Sequence, residues 1–140
     1  MIVQFFFQTK KVYLPNRKKL KSFINFIFKN EKKELKFIAY IFCSDEYLLK
    51  INQDFLKHNY YTDIITFDMS DSKKLIEGEI YISVERVKEN AKDRNVQSIK
   101  ELYRVIFHGA LHLCGYRDKA DLDIEEMRNK EDFYINQYLK

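Results

Sequence analysis

Two hydrophobic rhythms run along this chain, and the switches between them mark its elements. Residues 2–7 are aromatic and β-branched, which predicts a first strand, and Pro15-Asn16 breaks the segment after it. Over residues 17–29 the apolar positions Leu20, Phe23, Ile24, Ile27 and Phe28 recur at helical spacing, with Lys18, Lys19 and Lys21 on the other side. Residues 35–43 read as a second strand. Ser44-Asp45 then caps a helix carrying Tyr47, Leu48, Ile51 and Phe55 that ends near Lys57. The β-branched and aromatic runs at 62–68 and 79–82 predict two more strands, joined by a polar loop over 70–77. Ser83 opens a helix to about Arg94, and Ser98-Ile99-Lys100-Glu101 forms a capping box ahead of an apolar helix that runs to Gly115. Asp121 starts the last helix, whose apolar stripe is Ile124, Met127, Tyr134 and Tyr138.

The order β, α, β, α, β, β, α, α, α predicts an α+β fold: a single domain with one mixed sheet of about four strands and helices packed on it. Composition agrees with this and narrows it. Of the 140 residues 46% are hydrophobic, with 12 Phe, 10 Tyr, 3 Gly and 1 Pro, which excludes collagen-like, low-complexity and disordered chains. The length suits one compact domain over residues 1–140. No apolar run approaches the roughly 20 residues that cross a bilayer, and the N-terminus lacks the pattern of a signal peptide. A cytoplasmic protein with no membrane partner is expected. Cys43 and Cys114 are expected as free thiols. A net charge of +4 permits an acidic partner without demanding one.

The candidate chemistry lies on the long helix. His108 and His112 are four residues apart, so both imidazoles share one face and reach one metal ion. Gly115 can turn the chain back with φ > 0, which returns the carboxylate of Asp118 toward them. The result, H-x3-H-x5-D, is a three-ligand metal site on a helix and the following loop, with an open position. Cys114 is two residues beyond His112, on the wrong side of the helix for the same ion, and is expected to pack in the core. Where H-E-x-x-H proteases carry their general base, this chain has Gly109, so peptidase chemistry of that type is excluded. A small residue there suits close approach of another backbone or of substrate.

The segment His108-Gly109-Ala110-Leu111-His112-Leu113-Cys114-Gly115-Tyr116 resembles the H-G-x-L-H-L-x-G-Y signature of the YbeY family of bacterial endoribonucleases and rRNA maturation factors. Asn52 followed by Thr62-Asp63-Ile64-Ile65-Thr66-Phe67, and Gly78-Glu79-Ile80-Tyr81-Ile82, are similar to two further family segments in the same order. The likeness covers about residues 35–135. It implies a zinc-dependent hydrolase, a single-strand-specific endoribonuclease acting in 16S rRNA maturation and ribosome quality control. Its implied partners are single-stranded RNA, rRNA and the ribosome or a ribosomal protein. Zn2+ would be held by His108, His112 and Asp118, which act through a water in the open position, and Arg117 is an additional catalytic candidate. Arg117 and Lys119 are candidates for holding phosphate, Tyr60, Tyr61 and Tyr116 for stacking on bases, and His58 for an acid or base near the metal.

Two departures matter. The family's third histidine falls on Asp118, a competent but anionic ligand, and a family arginine falls on Leu56, where Lys57, His58, Arg104 or Arg117 would have to substitute. Two other readings compete with the nuclease. One is a non-catalytic ribosome-assembly factor with a structural zinc site. The other is oxygen chemistry at iron, since two histidines and a carboxylate also form the facial triad of non-haem oxygenases.

Overall fold

The computed structural model describes residues 2–10 and 12–140; Met1 and Lys11 lie outside the described residues. The elements are β1 (Val3–Phe7), α1 (Arg17–Asn30), β2 (Glu34–Cys43), α2 (Asp45–Leu56), β3 (Ile64–Asp68), β4 (Leu75–Ser83), α3 (Val84–Asp93), α4 (Ser98–Leu113) and α5 (Asp121–Tyr138). The strands form one mixed sheet in the order β1-β2-β4-β3, so the expected α+β fold is the observed one. β1 and β2, and β2 and β4, are parallel, whereas β3 pairs antiparallel with β4. The parallel pairs require crossovers, which α1 and α2 supply. β4 starts earlier than the sequence pattern predicts. Residues 75–77, expected in the loop, pair with the start of β2, with Glu34 opposite Leu75 and Leu35 opposite Ile76.

Side chains alternate across a strand, so the sheet has two buried faces. Ile38, Tyr40, Phe42, Ile80 and Ile82 face the main core, which they share with α1, α4 and α5. Ile65, with Phe67 and Tyr81 beside it, meets Leu48 and Ile51 of α2 in a smaller cluster on the opposite side. The expected helical stripes hold in outline only. Phe55 is 70% exposed and Ile124 45%, because α2 and α5 each turn a narrower face inward than the spacing predicts.

Side-chain caps open two of the five helices, α2 and α3. Ser44 Oγ accepts from the amide of Tyr47, and Ser83 Oγ accepts from that of Arg86, both at 3.1 Å. The capping box at Ser98 does not form. Gln97 is the N-cap of α4, and Glu101 is buried and bonded to Arg94 instead. A tertiary ion pair has taken the side chain that the local motif would have used.

α4 is the central helix. Leu102, Tyr103, Val105, Ile106, Phe107, Ala110 and Leu111 are all buried, and burying each large apolar side chain contributes about 1.5–3 kcal/mol. Between Arg104 and its C-terminus, only Arg104, His108 and His112 reach solvent, and they lie at i, i+4 and i+8 on one face. Gly109 lets this helix approach the sheet: a Cβ there would stand 2.8 Å from Ile80 Cδ1 and 3.0 Å from Ile64 Cδ1. What approaches Gly109 is therefore a pair of sheet side chains, rather than another backbone or a substrate. No helix among the described residues is long and apolar enough to cross a membrane.

Candidate metal centre

The end of α4 is a Schellman turn. The amide of Tyr116 donates to the carbonyl of Leu111 at 3.1 Å, and that of Gly115 to His112 at 3.0 Å. Gly115 has φ 107°, a value that favours glycine. The chain thereby doubles back and brings Asp118 over the helix end. Asp118 Oδ2 lies 3.3 Å from His108 Nε2 and 3.3 Å from His112 Nε2. All three donor atoms fall within 4.8 Å of one another.

This geometry passes a simple test of fit. An ion bound at roughly 2.0–2.1 Å with tetrahedral angles holds its donors about 3.3–3.5 Å apart. The donor chemistry, two imidazoles and one carboxylate, suits a divalent transition metal. His108, His112 and Asp118 could therefore hold a metal ion, as the spacing predicts.

Both imidazoles are oriented from behind. His112 Nδ1 donates to the carbonyl oxygen of Tyr116 at 2.9 Å, and His108 Nδ1 lies 2.6 Å from Glu131 Oε2. Each ring then turns Nε2 toward Asp118. Glu131 is buried and also accepts from Arg104 Nη1 at 2.9 Å, while Arg104 Nη2 donates to Asp132 at 2.7 Å. Burial opposes charge on His108, but the hydrogen bond and charge of Glu131, with Asp118 nearby, hold its pKa above the ordinary value. Burial likewise opposes charge on Glu131, yet His108 and Arg104 hold its carboxyl below the usual range.

The centre opens into a cleft of about 710 Å³ between α4, α5, β3 and the end of α2. Leu56, His58, Tyr60, Arg94, Lys119 and Arg128 contribute to its walls. His58 and Tyr60 stack with ring centroids 5.1 Å apart and planes at 20°, and Tyr60 is 56% exposed. Asn52 is buried and donates to the carbonyl of Tyr60 at 2.9 Å, which ties that loop to α2.

The other sequence candidates are placed differently. Arg117 is exposed and does not line the cleft, whereas its neighbour Lys119 does. Arg104 lines the cleft, but its two terminal nitrogens are engaged by Glu131 and Asp132. Tyr116 is unavailable for stacking, because its ring packs on the core and its hydroxyl donates to Glu31 at 2.6 Å. Tyr61 lies against Arg86 with the guanidinium 5.1 Å from the ring centre, outside the cleft. Cys114 is buried in the main core, and burial pushes its thiol up to about 12.

Sequence reasoning missed Glu131, Arg94 and Arg128. A signal existed for the first: Glu131 interrupts the buried stripe of Met127, Tyr134, Ile135 and Tyr138 on α5. A carboxylate on an apolar face needs a partner, although its identity depends on how α5 lies against α4.

The family model of endoribonuclease YbeY matches residues 4–139, a longer span than the quoted segments alone cover. An endoribonuclease YbeY of Cytophaga hutchinsonii is 52% identical over 129 residues, covering 91% of this chain and 90% of its own. One from Flavobacterium johnsoniae is 50% identical over 119 residues, covering 85% of each chain. The solution structure of TM1509 from Thermotoga maritima superposes with a TM-score of 0.66 at 29% identity, covering 97% of this chain and 88% of that one.

Proposed function

The chain belongs to the YbeY endoribonuclease family, and on that premise we propose that it is a zinc-dependent, single-strand-specific endoribonuclease acting in 16S rRNA maturation and ribosome quality control. The observation that carries the reading is the convergence of His108, His112 and Asp118 at the floor of an open cleft. His108, His112 and Asp118 would hold zinc there, and the chemistry it would supply is activation of water as a nucleophile and polarisation of a phosphoryl oxygen.

The protein's own groups account for the rest. His108 and His112 present Nε2 atoms whose direction is set by Glu131 and by the Tyr116 carbonyl. The stacked His58–Tyr60 pair at the rim offers an aromatic face to an unpaired base, a surface that duplex RNA cannot use because its bases are already stacked. Arg128 and Lys119, on the α5 side, provide positive charge for the backbone in place of the arginine absent at Leu56. The three-donor set beside a cleft favours a catalytic centre over the structural zinc of an assembly factor, for which four protein ligands are the rule.

The test is a labelled RNA single strand, the same strand in a duplex, and a His112→Ala control. Zinc-loaded protein is expected to cut the single strand, spare the duplex and lose activity to chelator. Equal cleavage by His112→Ala would overturn the reading. Elemental analysis of protein purified without added metal separates zinc from iron.

A further inference from the structure

We infer that Glu131, braced by Arg104, is the positioning residue for His108, fixing the ring so that Nε2 and not Nδ1 is offered to the metal. The inference rests on the reading of His108 as a ligand. Its basis is how the carboxylate divides its oxygens. Oε2 takes the His108 Nδ1 side at 2.6 Å, and Oε1 takes Arg104 Nη1 at 2.9 Å. Asp132 holds the other end of the guanidinium at 2.7 Å, so Arg104 is anchored on both sides and Glu131 cannot rotate freely.

Stability alone does not account for this arrangement. Glu131 is 4% exposed on a helix face otherwise made of Met127, Tyr134, Ile135 and Tyr138. At such a position a buried ion pair is often no better than well-packed hydrophobic residues of similar volume. What the pair supplies is direction: a carboxylate behind one imidazole nitrogen keeps the proton there and leaves the other nitrogen's lone pair for a metal. His112 has only a neutral carbonyl behind it, from Tyr116. The two histidines therefore differ in kind, with a charged carboxylate behind His108 and a neutral carbonyl behind His112. Arg104, a sequence-level candidate for contact with substrate phosphate, works instead through Glu131.

Three measurements test the proposal. In the metal-free parent at alkaline pH, 15N NMR should find His108 with its proton on Nδ1. The opposite tautomer in the parent would overturn the proposal without any variant. Glu131→Gln keeps the shape but has only one acceptor oxygen, and its zinc affinity, read by competition with a chromophoric chelator, should fall about tenfold. The double substitution Glu131→Met with Arg104→Leu replaces the pair by apolar volume, so it should keep the parent's circular dichroism. It should bind zinc roughly 10–100-fold more weakly, with the His108 proton redistributed and the cobalt(II) visible spectrum altered. A folded double variant with parental affinity, tautomer and spectrum would overturn it. His108→Ala separates the two levels: parental zinc affinity there would remove the ligand assignment itself.

Discussion

The Nδ1 of His112 donates to the main-chain carbonyl of Tyr116 at 2.9 Å, so the ring at the end of α4 is aimed by the same turn that returns Asp118. Gly115 makes that turn with φ 107°, and a Cβ added there would meet nothing within 4 Å. Gly115→Ala therefore tests backbone strain without a steric clash. It should cost about 1–3 kcal/mol in denaturant unfolding, and it should weaken metal binding as well, because the carbonyl and Asp118 move together. Loss of stability with full metal affinity would mean that the turn does not aim the ligands.

Asp118 would supply the third donor atom from a loop, with its side chain 39% exposed, whereas the histidines are held by a packed helix. Asp118→Ala should leave the fold intact and lower metal affinity by more than the roughly 10–100-fold lost with a supporting hydrogen bond. Asp118→His, which restores the family pattern, should retain the metal. Calorimetric titration with zinc decides it: unchanged affinity in Asp118→Ala removes that carboxylate from the site.

Structural elements and candidate metal-site residues differed in how far the sequence exposed them. His108 and His112 were legible because both lie on one helix, where spacing dictates direction, and Asp118 because Gly115 announces a reversal. Glu131 and Arg104 act across the α4–α5 contact, which no local pattern encodes. The early start of β4 was hidden for a similar reason, since Leu75 and Ile76 look like loop residues until Glu34 and Leu35 pair with them. Ser98 to Glu101 had the right local chemistry, but Arg94 took the glutamate.

Two glycines where α4 meets the sheet, Gly109 on the helix and Gly78 on β4, should respond unequally to alanine. At Gly109 the new methyl meets Ile80 Cδ1 at 2.8 Å, Ile64 Cδ1 at 3.0 Å and Ile80 Cγ2 at 3.1 Å in the packed core, and a gain in helix propensity of about 1 kcal/mol offsets part of an overpacking cost of about 1–3 kcal/mol, so the net loss should be the smaller of the two. At Gly78 it stands 2.9 Å from the carbonyl oxygen of Phe67, on the paired strand β3, as well as from Leu113. Backbone in a ladder cannot yield easily, and Gly78→Ala should cost about 1–3 kcal/mol. Thermal melts of the two variants give the comparison, and equal effects would contradict the packing described.

Acid should expose the role of Glu31. Burial raises its pKa, but hydrogen bonds from Tyr116, Tyr134 and Lys130 outweigh that and hold it below the ordinary 4.5. A depressed carboxyl contributes stability that is fully present above its unfolded value and is lost as pH falls through the folded one. Unfolding free energy should therefore fall below about pH 4.5, and less steeply in Glu31→Gln. Glu131 acts in the same sense, and Glu101, pushed up by burial, in the opposite one, so the acid limb is reduced and not abolished. Parallel pH profiles for parent and variant would show that Glu31 gains nothing from its three partners.

Leu56 and Arg128 both line the cleft, and Arg128 has no ion pair or hydrogen bond among the described residues. If Arg128 carries the backbone charge that Leu56 lacks, Arg128→Ala should weaken RNA binding uniformly across sequences. It should also lower the slope of log affinity against log salt by about 0.7–1. Leu56→Arg should raise that slope by a similar amount, because a residue already 39% exposed leaves room for a guanidinium at the rim. Both are measured on metal-free protein by fluorescence anisotropy with a labelled single strand, so the result does not depend on turnover. An unchanged slope in Arg128→Ala, beside an increased one in Leu56→Arg, would place the RNA backbone on the α2 side of the cleft and leave Arg128 as a solvated surface charge.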